Sequence, residues 1–332
     1  MRARDYLLIN LGLALLAAIF FVASIYVGRG GELLVGKLHA VDETDRSLAW
    51  LILKEVRLPR ALLGLLVGAT LGLTGAALQG LLRNPLAEPG LIGASSGAAL
   101  GAVLVFYFGL AAGSTIFVPL GGVAGALVSL GVLYLLSGRN PSIVTLILAG
   151  VAISAFTSAL TSLALSLAAS PYAVYEIIFW LLGSFTDRSM DQVRFATPFM
   201  ALGALLVAST ARGLDALTLG EDTAATLGFN QESIKARAVI GTGLAVGAAV
   251  SVTGVIGFVG LVVPHLVRPL VGYQPGKLLL PSALAGAAML LAADLLVRLP
   301  MDGPEPKLGV VTSLVGAPFF LWLILRARRE AP

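Results

Sequence analysis

Asp294 and Arg298 stand four residues apart in an apolar stretch, the spacing at which an acid and a guanidinium meet on one helical face. Ion-coupled transport also draws on ionisable groups within spans. Asp294 is the single acid that reads as well buried, and its spacing to Arg298 reads as a structural ion pair. Other chemistries lack their parts. Two histidines, no cysteine and no clustered carboxylates offer no metal-ligand set, so no metal site is assigned. His265, after Pro264, reads as a packed side chain, and His39 as a solvated residue of an outer loop. No GxxxxGK[ST] string is present; GYQPGK at 272–277 has the wrong spacing and is followed by Leu278, so the chain is not expected to bind ATP. Paired aspartates, a His-Glu metal motif and a Ser-His pair are all missing from the apolar segments, so no residue is assigned as catalytic.

What remains is a hydroxyl face. Gly150, Ser154, Ser158, Ser162 and Ser166 recur every fourth position, with Thr157 and Thr161 beside them, so one side of a helix is small and hydroxylated. Such a face either packs against another helix or lines a path.

The elements that must position these residues are membrane spans. Hydrophobic residues make up 58% of the chain and charged ones 12%, against roughly 25% charged in soluble domains. A net charge of +4 is read as basic cytoplasmic loops rather than nucleic-acid binding. Cutting the chain at its charged and Pro/Gly-rich breaks gives about ten apolar pieces, each near the length of a spanning helix. They run over 6–28, 58–81, 91–109, 116–137, 143–168, 191–211, 236–254, 257–272, 279–298 and 308–326, with 236–272 readable as one span or two. The first, from Tyr6 to Val27, exceeds the roughly 7 to 15 apolar residues of a signal peptide and is expected to stay as a span. An even number of spans puts both termini on one side, and Arg2, Arg4, Arg326, Arg328 and Arg329 make that side the cytoplasm. Several bases still fall on the outer side, so the bias is weak.

Two connections carry information. In LLRNPLAEPGLIGASSGAALG, 81–101, Asn84-Pro85 and Glu88-Pro89 force a turn. Gly64, Gly68, Gly72, Ala76 and Gly80 precede it and Gly93, Gly97 and Gly101 follow, stripes that let helices pack backbone to backbone. The inward loop 212–237 reads as two short helices. Thr218 and Glu221 have capping-box spacing, Gly228 supplies the stop after Leu227, and the second helix would show Leu219, Ala224 and Leu227 to something else.

Taken jointly, five strings resemble the FecCD/BtuC-type permease subunits of type II ABC importers: RLPRALLGLLVGATLGLTGAALQGLLRNPLAEPGLIGASSGAALG at 57–101, LGEDTAATLG at 219–228, GVIGFVGLVVPHLVRPLVG at 254–272, LLLPSALAGAAMLLAADLLVRL at 278–299 and GVVTSLVGAPFFLWLIL at 309–325. The resemblance implies an all-α, polytopic fold, one transmembrane permease domain over 1–332 with a cytoplasmic coupling-helix loop at about 213–235. It implies import of a metal chelate (iron-siderophore, haem or cobalamin) across the inner, cytoplasmic membrane. The expected partners are a second permease subunit, most simply an identical copy, two ATPase subunits, a substrate-binding protein and the bilayer, with no nucleic acid. No cofactor is expected on this chain; ATP and Mg belong to the ATPase.

By the same resemblance, Leu219, Gly220, Glu221, Ala224, Leu227 and Gly228 form the coupling helix, and Arg57, Arg60 and Arg298 receive acidic residues of the binding protein. Asn84, Leu86, Ser142 and Ile143 form the cytoplasmic gate, and Ser154, Ser158, Thr161, Ser162 and Ser166 line the translocation path. Glu305-Pro306-Lys307-Leu308 and the Pro269 to Lys277 turn depart from the commoner family pattern and leave the substrate open. The competing reading, an ion-coupled carrier acting alone, needs more intramembrane acids than the sequence supplies.

Overall fold

The computed structural model describes residues 2–28, 42–138, 141–168, 170–299 and 304–330; His39 lies outside them, as do the side chains of Arg326, Arg328 and Arg329. The regular elements are helices: α1 Ala3–Tyr26, α2 Glu43–Ile52, α3 Leu58–Leu81, α4 Ala94–Tyr107, α5 Phe117–Ser137, α6 Ile143–Ser166, α7 Pro171–Leu181, α8 Met190–Ala208, α9 Ala211–Leu217, α10 Glu221–Thr226, α11 Gln231–Thr253, α12 Val259–Val267, α13 Pro275–Val297 and α14 Leu308–Glu330. Among the described residues, 7 helices are long and apolar enough to cross a bilayer. Shorter apolar helices at Ala94–Tyr107, Val259–Val271 and Leu308–Leu323 fill the remaining predicted positions.

The apolar run 236–272 is two elements. Its first helix stops because Gly254 takes φ 73°, a left-handed conformation that glycine adopts without steric cost. A Cβ there would also stand 2.1 Å from the Trp180 carbonyl. The chain continues unwound to Phe258, itself at φ 67°, before α12 begins.

Close approach holds the bundle together. A Cβ added at Gly72 would lie 2.0 Å from the Ser282 carbonyl of α13, and one at Gly75 would lie 1.9 Å from the Gly260 carbonyl of α12. Gly101 and Gly121 make the same kind of contact between α4 and α5, where a Cβ would sit 2.0 Å from a backbone oxygen. Gly68, Gly72 and Gly101 of the glycine stripe thus make backbone contacts, the packing that membrane helices use where hydrophobic burial gives no drive, while Gly64 and Gly80 meet side chains.

Three local features were not legible. α2 is a surface helix started by Asp42, whose side chain accepts from the Thr44 N–H at 3.1 Å, and it runs through a π-type turn, Leu53–Arg57, into α3. α7 occupies the connection after α6, with Ser170 accepting from the Ala173 N–H at 3.2 Å. The capping box expected at Thr218 and Glu221 is absent there and present at Ser189 and Gln192, at the start of α8. Thr218 instead closes α9, its hydroxyl donating to the Asp215 carbonyl at 2.7 Å, and Gly220, at φ 109°, precedes the first residue of α10. A residue that ends one helix cannot lend its side chain to the next.

Replacing Gly72 with valine forces a side chain into the Ser282 backbone, which cannot yield as a side-chain tip would. We expect Gly72→Val to cost on the order of 2 to 3 kcal/mol and to lower the melting temperature in detergent. Gly12→Val, where nothing lies within 4 Å of the added Cβ, serves as the silent control.

Candidate transport path and coupling site

At one end of the bundle the ends of α1, α3 and α13 meet on a buried charge cluster. Arg60 holds Asp294 with Nε 3.0 Å and Nη2 2.8 Å from Oδ1. Arg298 Nη2 donates to Asp294 Oδ2, and Arg60 Nη2 to Glu305. Arg298 also donates to the Ser24 carbonyl at 2.7 Å and to its hydroxyl at 2.8 Å, and Arg57 donates to the Ile25 carbonyl at 3.2 Å. Asp294 is 1% exposed and Arg298 3%. A lone carboxylate so deeply buried would carry a desolvation cost that only paired, hydrogen-bonded cations offset.

The Asp294–Arg298 pair is present as the spacing suggests, with Arg60 as a second cation that spacing could not reveal. Arg57, Arg60 and Arg298 are the arginines expected to receive acidic residues of the binding protein. Their guanidinium groups are turned into the body and bonded to acceptors of this chain.

The hydroxyl face of α6 divides. Gly150 and Thr157 are buried, and a Cβ on Gly150 would meet the Leu91 carbonyl at 1.9 Å. Ser158, Ser162 and Ser166 are exposed, and Ser154 and Thr161 are half-buried. Thr161 donates to the Thr157 carbonyl at 2.9 Å and Ser162 to the Ser158 carbonyl at 3.0 Å. Hydroxyls that back-bond to their own helix present a small surface with little hydrogen-bonding appetite.

Two turns lie at the opposite end, where α3 finishes and α6 begins. Asn84 Oδ1 accepts from the Leu86 N–H at 2.9 Å, and Ser142 Oγ caps α6 by accepting from the Thr145 N–H at 3.1 Å. Asn84 and Ser142 are exposed, while Leu86 and Ile143 are half-buried. In the first turn, burial pushes the Glu88 carboxyl above its ordinary 4.5, although the Phe258 N–H that it accepts favours the anion.

The inward loop is a braced rod. Asp215 of α9 accepts from the Gly276 N–H at 2.7 Å and from Gln274 Nε2 at 2.8 Å, tying the loop to the start of α13. The Glu221 carbonyl accepts from Gln231 Nε2 at 2.6 Å. Leu219 and Leu227 are 64% and 58% exposed, whereas Ala224 is fully buried. This corrects the expected outward face: Ala224 packs inward, and only the two leucines are shown. Gly228 ends the rod at φ 84°. The sequence reading missed Arg83 and Lys235, whose side chains reach this rod or its flank; such long-range bonds leave no periodic signal. His265 is half-buried with its ring edge-on to Phe319 at 5.8 Å.

A bundle of apolar helices, weakly polar along one flank and carrying a short anchored rod on one face, defines a membrane permease. The profile of the FecCD transport family matches residues 15–326. The ABC transporter permease YvrB of Bacillus subtilis is 42% identical over 285 residues, 84% of this chain and 80% of that protein. The hemin transport system permease HmuU of Yersinia pestis is 39% identical over 293 residues, 87% of each. The vitamin B12 import permease BtuC of Escherichia coli O9:H4 is 39% identical over 276 residues, 83% of this chain and 84% of that protein. A solved metal-chelate type ABC transporter in an inward-facing conformation superposes with a TM-score of 0.84 at 34% identity, covering 96% of this chain and 99% of that one. The chain belongs to the FecCD transport family. It is a multi-pass ABC transporter permease, a family of conduits rather than of catalysts.

The raised Glu88 value sets a pH test. A carboxyl whose folded pKa lies above its unfolded one contributes stability that is complete below pH 4.5 and is lost as pH rises through the folded value. Glu88→Gln keeps an acceptor for the Phe258 N–H without the charge. Its melting temperature is expected to match the parent near pH 4 and to exceed it increasingly toward neutrality; a variant less stable at neutral pH contradicts the assignment.

Proposed function

We propose that this chain is the permease subunit of an ATP-driven importer that carries a metal chelate of the haem, cobalamin or iron-siderophore class into the cytoplasm. It pairs with a second permease subunit, most simply its own copy, in the cytoplasmic membrane, with both termini inside. Two ATPase subunits hold ATP and Mg beneath it, and a substrate-binding protein delivers cargo from above.

The observation that carries this reading is the α10 rod: Leu219 and Leu227 stand exposed on a segment otherwise braced through Asp215, Ala224 and Glu221. Two apolar side chains held out by a rigid support suit a groove on a partner, and a rigid support passes on the partner's motion. The similarity to HmuU and BtuC favours a bulky chelate as cargo. The exposed serines of α6 suit such a cargo, because a wall that makes few strong hydrogen bonds does not retain it. Asn84, Leu86, Ser142 and Ile143 then close the cytoplasmic end with short side chains and backbone. Asp294, gripped by two arginines, is not an open seat for a coupling ion.

In proteoliposomes with its ATPase and binding protein, Leu227→Asp is expected to cut ATP-driven uptake of labelled haem or cobalamin at least about tenfold, within the usual range of coupling energies. Uptake at the parental rate would overturn the assignment of α10.

A further inference from the structure

The rod flanked by Leu217 and Glu221 is tied to each of the two cytoplasmic turns by one cationic side chain. Lys235, on the second turn of α11, is 5% exposed. Its Nζ lies 3.3 Å from the Pro141 carbonyl, in the turn that opens α6, and 3.5 Å from Glu221 Oε1, the first residue of α10. Lys235 lines a cavity together with Leu133, Leu146 and Val239. A lysine ammonium is a point charge with three donors on a flexible stem. Buried so far from water it needs acceptors, and a carbonyl of one element and a carboxylate of another supply them.

Arg83 makes the matching connection on the other side. It sits in the first turn at φ 49°, an uncommon conformation for a residue with a side chain, and its Nη2 donates to the Leu217 carbonyl at the end of α9. That carbonyl, in the last turn of α9, also accepts from the Gly220 N–H at 3.2 Å, so Arg83 reaches the junction between α9 and α10.

We infer that Lys235 and Arg83 are the positioning residues that carry displacement of the rod to the two turns separately: Lys235 to the Pro141–Ile143 turn, and Arg83 to the Asn84–Glu88 turn. The inference rests on the coupling role proposed for α10 and adds the route by which that role reaches the gate. The rod is short, and a tilt of α10 need not propagate through the length of α11 or α13, because each turn is reached through one side chain. Two separate ties also let the turns answer in step while remaining on different helices.

The chain has no cysteine, which makes single reporters clean. Leu86→Cys reports the first turn and Val144→Cys the second. Each is placed in the complex with cysteine-free ATPase subunits, and its labelling rate with a charged maleimide is measured in ATP alone and in ATP with vanadate. The parent reporters should both respond to nucleotide. Lys235→Met should shrink the response at Val144→Cys at least about fivefold and spare that at Leu86→Cys, while Arg83→Met should do the reverse. Lys235→Arg should retain the response, and Glu221→Gln should reproduce the Lys235→Met result without adding to it.

That crossed pattern is one a general loss of stability would not give. A full response at Val144→Cys in Lys235→Met, or equal loss at both reporters in both variants, overturns the inference while leaving α10 as the coupling element. Parent reporters that ignore nucleotide remove the coupling reading itself, and the inference with it.

Discussion

The backbone contact of α3 with α13 and α12 is the constraint on which the rest of the molecule depends. At Gly72 and Gly75 the three helices come so close that a single added carbon would overlap a carbonyl. In a bilayer, apolar burial does not distinguish a neighbouring helix from lipid, so such contacts and a few polar bonds must fix the bundle. α3 thereby becomes a mast. Arg57 and Arg60 stand at its N-terminal end, and the turn with Arg83, Asn84 and Leu86 follows its C-terminal end.

Buried charged groups gather near the two ends of that mast and are bonded differently at each. At one end, Arg60 bridges Asp294 and Glu305, Arg298 pairs with Asp294 and reaches back to α1, and Arg57 bonds backbone carbonyls of α1. Removing Asp294 would leave two buried guanidinium groups short of their shared anion. At the other end single cations link separate segments: Arg83 joins a turn to the end of α9, and Lys235 joins a turn to the rod. One end is a clasp and the other a linkage.

The spans were legible because length and apolar content alone demand them, and the break at Gly254 was signalled by its glycines. The surface rod was legible from its polar run and from Gly228. What escaped the sequence was pairing at a distance. Arg60 and Asp294 are separated by 234 positions, and no periodicity announces their meeting. Asp294 advertised only its near neighbour Arg298, so the second grip from Arg60 went unseen. Thr218 and Glu221 had the spacing of a cap, but α9 claims Thr218 first. Ala224 looked like part of an outward face because its neighbours are; the short helix turns it inward, and the support it gives there lets Leu219 and Leu227 stand out.

The central claim is that this subunit supplies a path and no drive. It is tested most directly by reconstituting the purified chain alone in vesicles, imposing proton and sodium gradients in turn, and following labelled haem and cobalamin. Parallel vesicles carry the chain with its ATPase and binding protein, supplied with ATP. The account predicts accumulation only in the second set. Concentrative uptake by the isolated chain under either gradient would contradict it.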